Sequence, residues 1–377
     1  MYKRVLNLEK LLATRSCFLL GPRATGKSWL TRDQLPKAQF IDLLKSDTYD
    51  RLLRSPQLLE SESKSELIVI DEIQKLPRLL DEVHRLIENK GTRFLLTGSS
   101  ARKLKRGGAN LLAGRARSMT MHPLVSAELT NFDLVKYCNR GGLPLVYDSD
   151  QYWTDLREYC HLYIKEEILA ESIVRKVDLF ARFLDQMGFS SGRELVLQKV
   201  ASDAQVPVRT VDHFVEILKD TLIAFELEPY SKTKKRKAVS RTKLFLFDVG
   251  VANYLAGRKE ILPRSIEFGI AFEHFITQEI RAYINYNQKD LDLTYWRATT
   301  GQYEVDLIVG DEMAIEIKSS DKFNESYLSG LLELKKEKKI KNYYLISLDP
   351  IRREIEGIHI IPYTEFLTEM WAHQHLT

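Results

Sequence analysis

The chain has 377 residues, a formal net charge of +4, and 44% apolar and 29% charged side chains. This length exceeds one ordinary core and predicts about two to four domains, and the mild charge gives no argument for nucleic acid by itself. No run approaches the ~20 apolar residues that cross a bilayer, and Cys17, Cys138 and Cys160, few and far apart, suit a reduced cytoplasmic interior without a thiolate metal site.

In chain order, residues 4–14 read as a short leading helix and Cys17-Phe18-Leu19-Leu20 as a buried strand. Gly21-Pro22-Arg23-Ala24-Thr25-Gly26-Lys27-Ser28 follows, spaced G-x-x-x-x-G-K-S as in a phosphate-binding loop, and a helix starts at Lys27. Glycines let successive N–H groups curl toward phosphate oxygens at a helix N-terminus. Lys27 is expected on the β- and γ-phosphates and Ser28 on Mg²⁺. Phe40-Ile41-Asp42 reads as a second strand. Leu67 to Asp71 reads as a central parallel strand whose tip carries Asp71 for the Mg²⁺ shell and Glu72 for the attacking water. An acidic helix cap is the structural alternative there.

Leu76, Leu79, Leu80, Val83, Leu86 and Ile87 make a helical stripe that belongs to a core, with His84 beside it as a structural residue. Phe94 to Thr97 is the next strand. Thr97 and Ser99 at its tip are candidates to sense the γ-phosphate or to cap a helix. Arg115 is placed to reach transition-state charge in its own site or a neighbour's, or to form a plain surface ion pair.

GPRATGKS, IVIDEIQKLP (68–77), LLTGSS (95–100), LAGR (112–115) and MHPLVSAEL (121–129) come in order. Together they resemble AAA-type P-loop ATPases that carry a C-terminal DUF4143 domain. The resemblance implies ATP, Mg²⁺, a helical lid after the nucleotide core and, as in many such ATPases, assembly into a homo-oligomer. Trp29 departs from the family pattern, which has a small or polar residue there; its side chain is expected to leave the phosphates.

Residues 126–137 read as helical, Gly141-Gly142-Leu143-Pro144 as a break, and Trp153 to Val177 as a long helix suited to the lid. A helix over 195–201, a turn at Gln205-Val206-Pro207, a helix over 208–222 and two strands, 223–227 and 243–247, follow. Ser231 to Thr242 between the strands is rich in Lys and Arg without an acid. The pattern describes a winged helix. Arg209, Thr210 and His213 would face a DNA groove, and Lys232, Lys234, Lys235, Arg236 and Lys237 would neutralise phosphates. Protein contacts with a solvated basic loop are the alternative.

Glu267 to Tyr283 is helical in pattern, with Glu273 interrupting its apolar face. Residues 293–297, 304–309 and 313–318 read as strands, with Val305, Leu307 and Val309 on one face and Asp306 on the other. Asp306, Glu316 and Lys318 then read D-x9-E-x-K, a spacing that resembles the metal-dependent PD-(D/E)xK nuclease core. The resemblance implies that Asp306 and Glu316 share hard cations, that Lys318 positions water, and that Glu273 is an extra acid. Alternating charges on a half-exposed strand are the plain alternative. An apolar helix near Leu328, a strand at 343–346 and a closing helix near Phe366 complete an α/β sandwich.

The expected organisation is α/β and multidomain: a P-loop ATPase core with a parallel sheet (1–125), a helical lid or connector (126–184), a winged helix (185–260) and a nuclease-like domain (261–377). The expected function is Mg²⁺-dependent ATP hydrolysis coupled to DNA binding and DNA processing. The alternatives are a nucleotide-dependent DNA- or protein-binding switch with an inert nuclease fold, and protein remodelling without nucleic acid.

Overall fold

The computed structural model describes residues 2–100, 112, 114–164, 177–231, 241–298 and 302–375. Strands β1 (Ser16–Leu20), β2 (Gln39–Asp42), β3 (Leu67–Asp71), β4 (Arg93–Gly98) and β5 (Ala116–Thr120) form a parallel sheet in the order β2-β3-β4-β1-β5. The central runs CFLL, IVI and FLLT are buried, as a parallel sheet covered on both faces requires. β4 lies between β1 and β3, so the loop after β1, Asp71 at the end of β3 and Thr97 near the end of β4 come together. Helix Leu79–Lys90 buries Leu79, Leu80, Val83 and Leu86 and ends at Gly91.

The leading helix is shorter than its pattern predicts, Leu8–Leu12, because the Asn7 side chain caps it by accepting from the Lys10 N–H. Residues 126–137 are not one helix. A 3-10 turn, Ser126–Glu128, comes first, and a helix starts only where Asp133 caps Leu134–Arg140. Helix Tyr152–Glu158 passes into a π-helical turn, Tyr159–Ile164; residues 165–176 of the expected long helix lie outside the described residues.

Helix Val177–Ser190, β6 (Arg193–Glu194), helices Leu197–Ala204 and Val208–Asp220, β7 (Ala224–Pro229) and β8 (Lys243–Leu246) come next. Both β6 and β7 pair antiparallel with β8. The expected boundary at 184/185 falls inside helix Val177–Ser190. Its Phe180, Phe183 and Met187 pack with Leu156, Val200 and Phe214, so connector and middle unit share one core.

The last part contains the long helix Ile266–Tyr286, β9 (Leu293–Arg297), β10 (Glu304–Val309), β11 (Met313–Lys318), β12 (Asn342–Ser347), β13 (Arg353–Ile355) and β14 (Ile358–Pro362). Its sheet does not stop at the expected boundary at 260/261. β7 pairs parallel with β9 through Glu228 and Pro229, which gives one nine-stranded sheet in the order β13-β14-β12-β11-β10-β9-β7-β8-β6. Phe225, Leu227 and Phe245 share a core with Phe268, Phe272 and Leu307. The strict alternation expected along β10 is broken by a bulge between Val305 and Ile308. Val305 and Ile308 consequently face one core, Leu307 and Val309 the other.

Candidate active site

The phosphate loop turns sharply after β1. Gly26 caps helix Lys27–Gln34 in the left-handed region, φ 95°, where a side chain would be strained. A Cβ on Gly21 would lie 2.5 Å from the Met121 carbonyl, so only glycine lets the chain pass there. Lys27 is buried, and its ammonium donates to the carbonyls of Gly21 (2.6 Å) and Pro22 (2.9 Å). Thr25 Oγ1 donates to the Pro22 carbonyl at 2.8 Å, and Tyr159 donates to the Arg23 carbonyl at 3.0 Å. Trp29 and partly buried Ala24 pack into two different apolar clusters.

Beside the loop, Ser28 Oγ donates to Asp71 Oδ2 at 3.0 Å, and Thr97 Oγ1 donates to the other carboxylate oxygen of Asp71. Glu72 follows in the left-handed region, φ 60°, with its N–H 3.3 Å from Thr97 Oγ1. Gln74 Nε2 donates to the Glu72 carboxylate and, at 2.9 Å, to Ser99 Oγ. Strained backbone at the strand tip turns Glu72 out of the sheet, and Gln74 fixes its carboxylate.

A second cluster lies where β10 and β11 fork. Their ladder reaches Leu307–Ile315, and beyond it Asp306 Oδ2 accepts from the Ile317 N–H at 2.8 Å. Lys318 contacts Glu316 and lies 3.8 Å from Asp306. Lys243 enters from β8 with its side chain 5% exposed, 2.6 Å from Glu304 and 3.3 Å from Glu273. Burial pushes the Glu273 carboxyl up to about 7, against the opposing pull of Lys243. Burial, with Asp306 alongside, raises Glu316 well above the usual carboxyl range. Burial alone would depress both lysines, but the surrounding acids outweigh it and raise them. Glu316 Oε2 is buried with no hydrogen-bond partner among the described residues, and those residues contain no group of three His, Cys, Asp or Glu able to hold a metal ion.

A family profile described as an AAA domain matches residues 13–130, and a domain of unknown function, DUF4143, matches residues 268–366. The chain joins an AAA domain to a C-terminal DUF4143 domain. Residues 131–261 between them match another domain of unknown function, DUF8612. The chain is 26% identical over 335 residues to Uncharacterized protein Rv2008c of Mycobacterium tuberculosis and to Uncharacterized protein Mb2031c of Mycobacterium bovis, covering 84% of this chain and 73% of each relative. It is 22% identical over 401 residues to Uncharacterized protein MJ1544 of Methanocaldococcus jannaschii, covering 96% of this chain and 86% of that protein. Among solved structures, protein VC1899 from Vibrio cholerae aligns at 11% identity over 95% of this chain and 96% of its own, with a TM-score of 0.21, too low to carry an argument about the fold.

Within the AAA domain, Lys27, Ser28, Asp71, Glu72, Thr97 and Ser99 come together as their spacing predicts. Arg115 does not join them. It precedes β5, whose Ala116 pairs with Ser16, at the opposite end of the sheet from the loop. Five residues of strand put it ~17 Å away, and it is ion-paired with Glu88. A role for Arg115 in its own site is therefore corrected; the plain surface ion pair is what it forms with Glu88, and a neighbour's site is the remaining catalytic option. Arg209 and His213 are exposed on helix Val208–Asp220 with Thr210 half-buried, and Asp212 and Glu216 share that face. Lys232, Lys234, Lys235, Arg236 and Lys237 lie outside the described residues. In the DUF4143 domain, Asp306, Glu316, Lys318 and Glu273 do converge, and Lys243 and Glu304 join them without a motif to announce them. Gln74 was also missed. It lies two residues after Glu72 inside the IVIDEIQKLP run, which was the available signal.

Proposed function

We propose that the chain is an Mg²⁺-dependent ATPase whose nucleotide state controls its hold on DNA. The observation that carries this reading is the hydrogen-bonded series Ser28–Asp71–Thr97, which joins the first turn of helix Lys27–Gln34 to two adjacent strand tips beside buried Lys27. Lys27 now rests on loop carbonyls, which phosphate oxygens would replace. The Ser28 hydroxyl and Asp71 carboxylate are adjacent hard oxygen donors and fit Mg²⁺, which when bound neutralises charge on the β- and γ-phosphates. Glu72, held by Gln74, orients the attacking water, and the Ser99 contact of Gln74 ties that orientation to the β4 tip.

For DNA, support comes from the order helix, β6, helix, helix, β7, β8 with β6 paired to β8, an order compatible with the winged-helix reading. The exposed face of helix Val208–Asp220 mixes Arg209 and His213 with Asp212 and Glu216. Affinity is therefore assigned mainly to the basic run after β7.

A divalent cation does not fit the DUF4143 cluster as arranged, because Lys243 and Lys318 already compensate its carboxylates. We accordingly read the cluster as an ion-pair junction and favour the switch over the nuclease. One observation favours cleavage as a second reading: Glu316 Oε2 is buried and unpartnered beside Asp306.

The test is direct. Lys27→Ala should abolish ATP binding, and Glu72→Gln should keep binding while slowing turnover by roughly 100-fold or more, the scale of losing a positioned general base. Wild-type turnover in Glu72→Gln would remove Glu72 from its role. Neutralising the five basic residues should weaken DNA binding and flatten its salt dependence; unchanged binding would leave protein remodelling as the better reading. Incubation of wild type and Asp306→Ala with Mg²⁺ or Mn²⁺, ATP and assorted DNA should give no cleavage, and cleavage lost in Asp306→Ala would establish the nuclease.

A further inference from the structure

A cleft of about 630 Å³ opens where the AAA domain, the middle unit and the DUF4143 domain meet. Its walls come from the edge of β5, from β7 and from the end of helix Ile266–Tyr286. We propose that this cleft is a binding site for a small phosphorylated molecule, separate from the phosphate loop, with Arg281 as its anchor.

The Arg281 guanidinium carbon lies over the Phe225 ring, 4.1 Å from its centre, and both residues line the cleft. Its guanidinium makes no ion pair and no hydrogen bond among the described residues. Burial pulls its proton affinity down to about 10, and no carboxylate pulls the other way. Arg4, which is buried where Arg281 is half-buried, is instead matched by Glu128 at 2.9 Å. Glu226, the acid that lines the cleft from β7, is taken by Lys219 at 2.5 Å. Arg281 is half-buried, and a partly desolvated cation without a counter-charge is unfavourable. With one face against an aromatic ring, a guanidinium still offers its edge, a planar fork of N–H donors suited to phosphate.

Two further features point the same way. His122 lines the cleft, is 2% exposed, and its Nε2 has no hydrogen-bond partner among the described residues. At the mouth stand Arg117, which donates to Gln288 at 2.9 Å, and Lys289. Asp290 and Asp292 also line the mouth, on the segment leading into β9. Three cations lining one cleft from two domains suit a phosphate dianion better than a single carboxylate.

The site is also wired to the nucleotide loop. The His122 N–H donates to the Tyr286 hydroxyl at 3.1 Å. The His122 carbonyl accepts from Arg4 at 2.8 Å, and Arg4 donates from its other terminal nitrogen to the Thr25 carbonyl in the loop at 2.7 Å. A ligand that draws Arg281 and His122 together acts on a wall one hydrogen-bonded residue away from the phosphate loop.

The experiment uses the full chain carrying Lys27→Ala, which silences the nucleotide loop. Inorganic phosphate and AMP are titrated by calorimetry, with and without Arg281→Gln, and melting is followed in parallel. Expected are saturable binding, at least tenfold weaker binding in Arg281→Gln, and an unchanged or higher ligand-free melting temperature in that variant, because a bare charge has gone. Tighter binding of AMP than of phosphate identifies a phosphorylated nucleoside; equal binding identifies the free oxyanion. The proposal is overturned if neither probe saturates, if Arg281→Gln binds as well, if only an oligonucleotide binds, or if Arg281→Gln melts lower, which would mark a merely structural arginine. Because Lys27 is absent throughout, failure here leaves the ATPase reading untouched.

Discussion

Arg4 shows how much one side chain fixes. Almost wholly buried, it pairs with Glu128, supports the Thr25 and His122 carbonyls, and meets the Tyr286 hydroxyl at 3.2 Å. Arg4→Met would leave Glu128 buried without its cation and should cost about 3–5 kcal/mol, read from denaturant unfolding as a shifted midpoint at constant slope. Glu279 gives a prediction in pH. Burial pushes its carboxyl up to about 7, against donors from Ser126 and Trp371. The folded state therefore holds a proton that the unfolded chain loses near pH 4.5, and this group's contribution to stability falls as pH rises from about 4.5 to 7. Glu279→Gln should remove that part of the pH slope, worth no more than about 3 kcal/mol, in melts across that range. Lys27, Ser28, Asp71 and Glu72 were legible because their chemistry depends on local spacing. Arg4 and Glu279 were not, because neither has meaning until residues more than a hundred positions away arrive beside it.

At the scale of elements, the fork between β10 and β11 decides what the DUF4143 cluster is. The bulge in β10 frees Asp306 to bond the Ile317 N–H, and β8 delivers Lys243 into the acids. Lys243→Met should strand Glu304 and Glu273 and destabilise by about 3 kcal/mol. Adding Glu304→Gln should restore part of that loss, and a double-mutant cycle measures the coupling. Strictly additive losses would show that the pair is not a joint. The D-x9-E-x-K spacing revealed three members of this cluster. It could not reveal the cation, because Lys243 belongs to a different stretch of chain and reads there as an ordinary strand residue.

For the whole molecule, the nine-stranded sheet makes the middle unit and the DUF4143 domain continuous. Residues 262–377 expressed alone would bare the β9 edge and the faces of Phe268 and Phe272 that Phe225, Leu227 and Phe245 now cover. That fragment should show no cooperative melt, whereas the full chain should; a sharp transition in the fragment would show that the shared core is dispensable. The same continuity gives nucleotide state a route outward, since Tyr159 touches the phosphate loop from the connector and Arg4 links it to the DUF4143 helix.

Sequence alone determined the parallel sheet, the phosphate loop and the acids at its tips, because each is written in short-range periodicity and in spacing along one segment. It placed boundaries at 184/185 and 260/261 because composition and motifs change near them. Only the tertiary structure decided that a helix and a sheet run through those points, that Arg115 faces away from its own loop, and that Lys243 stands among the carboxylates. These depend on which distant surfaces become complementary once the chain is compact, and a pattern read along one strand or helix carries no term for a partner elsewhere in the chain.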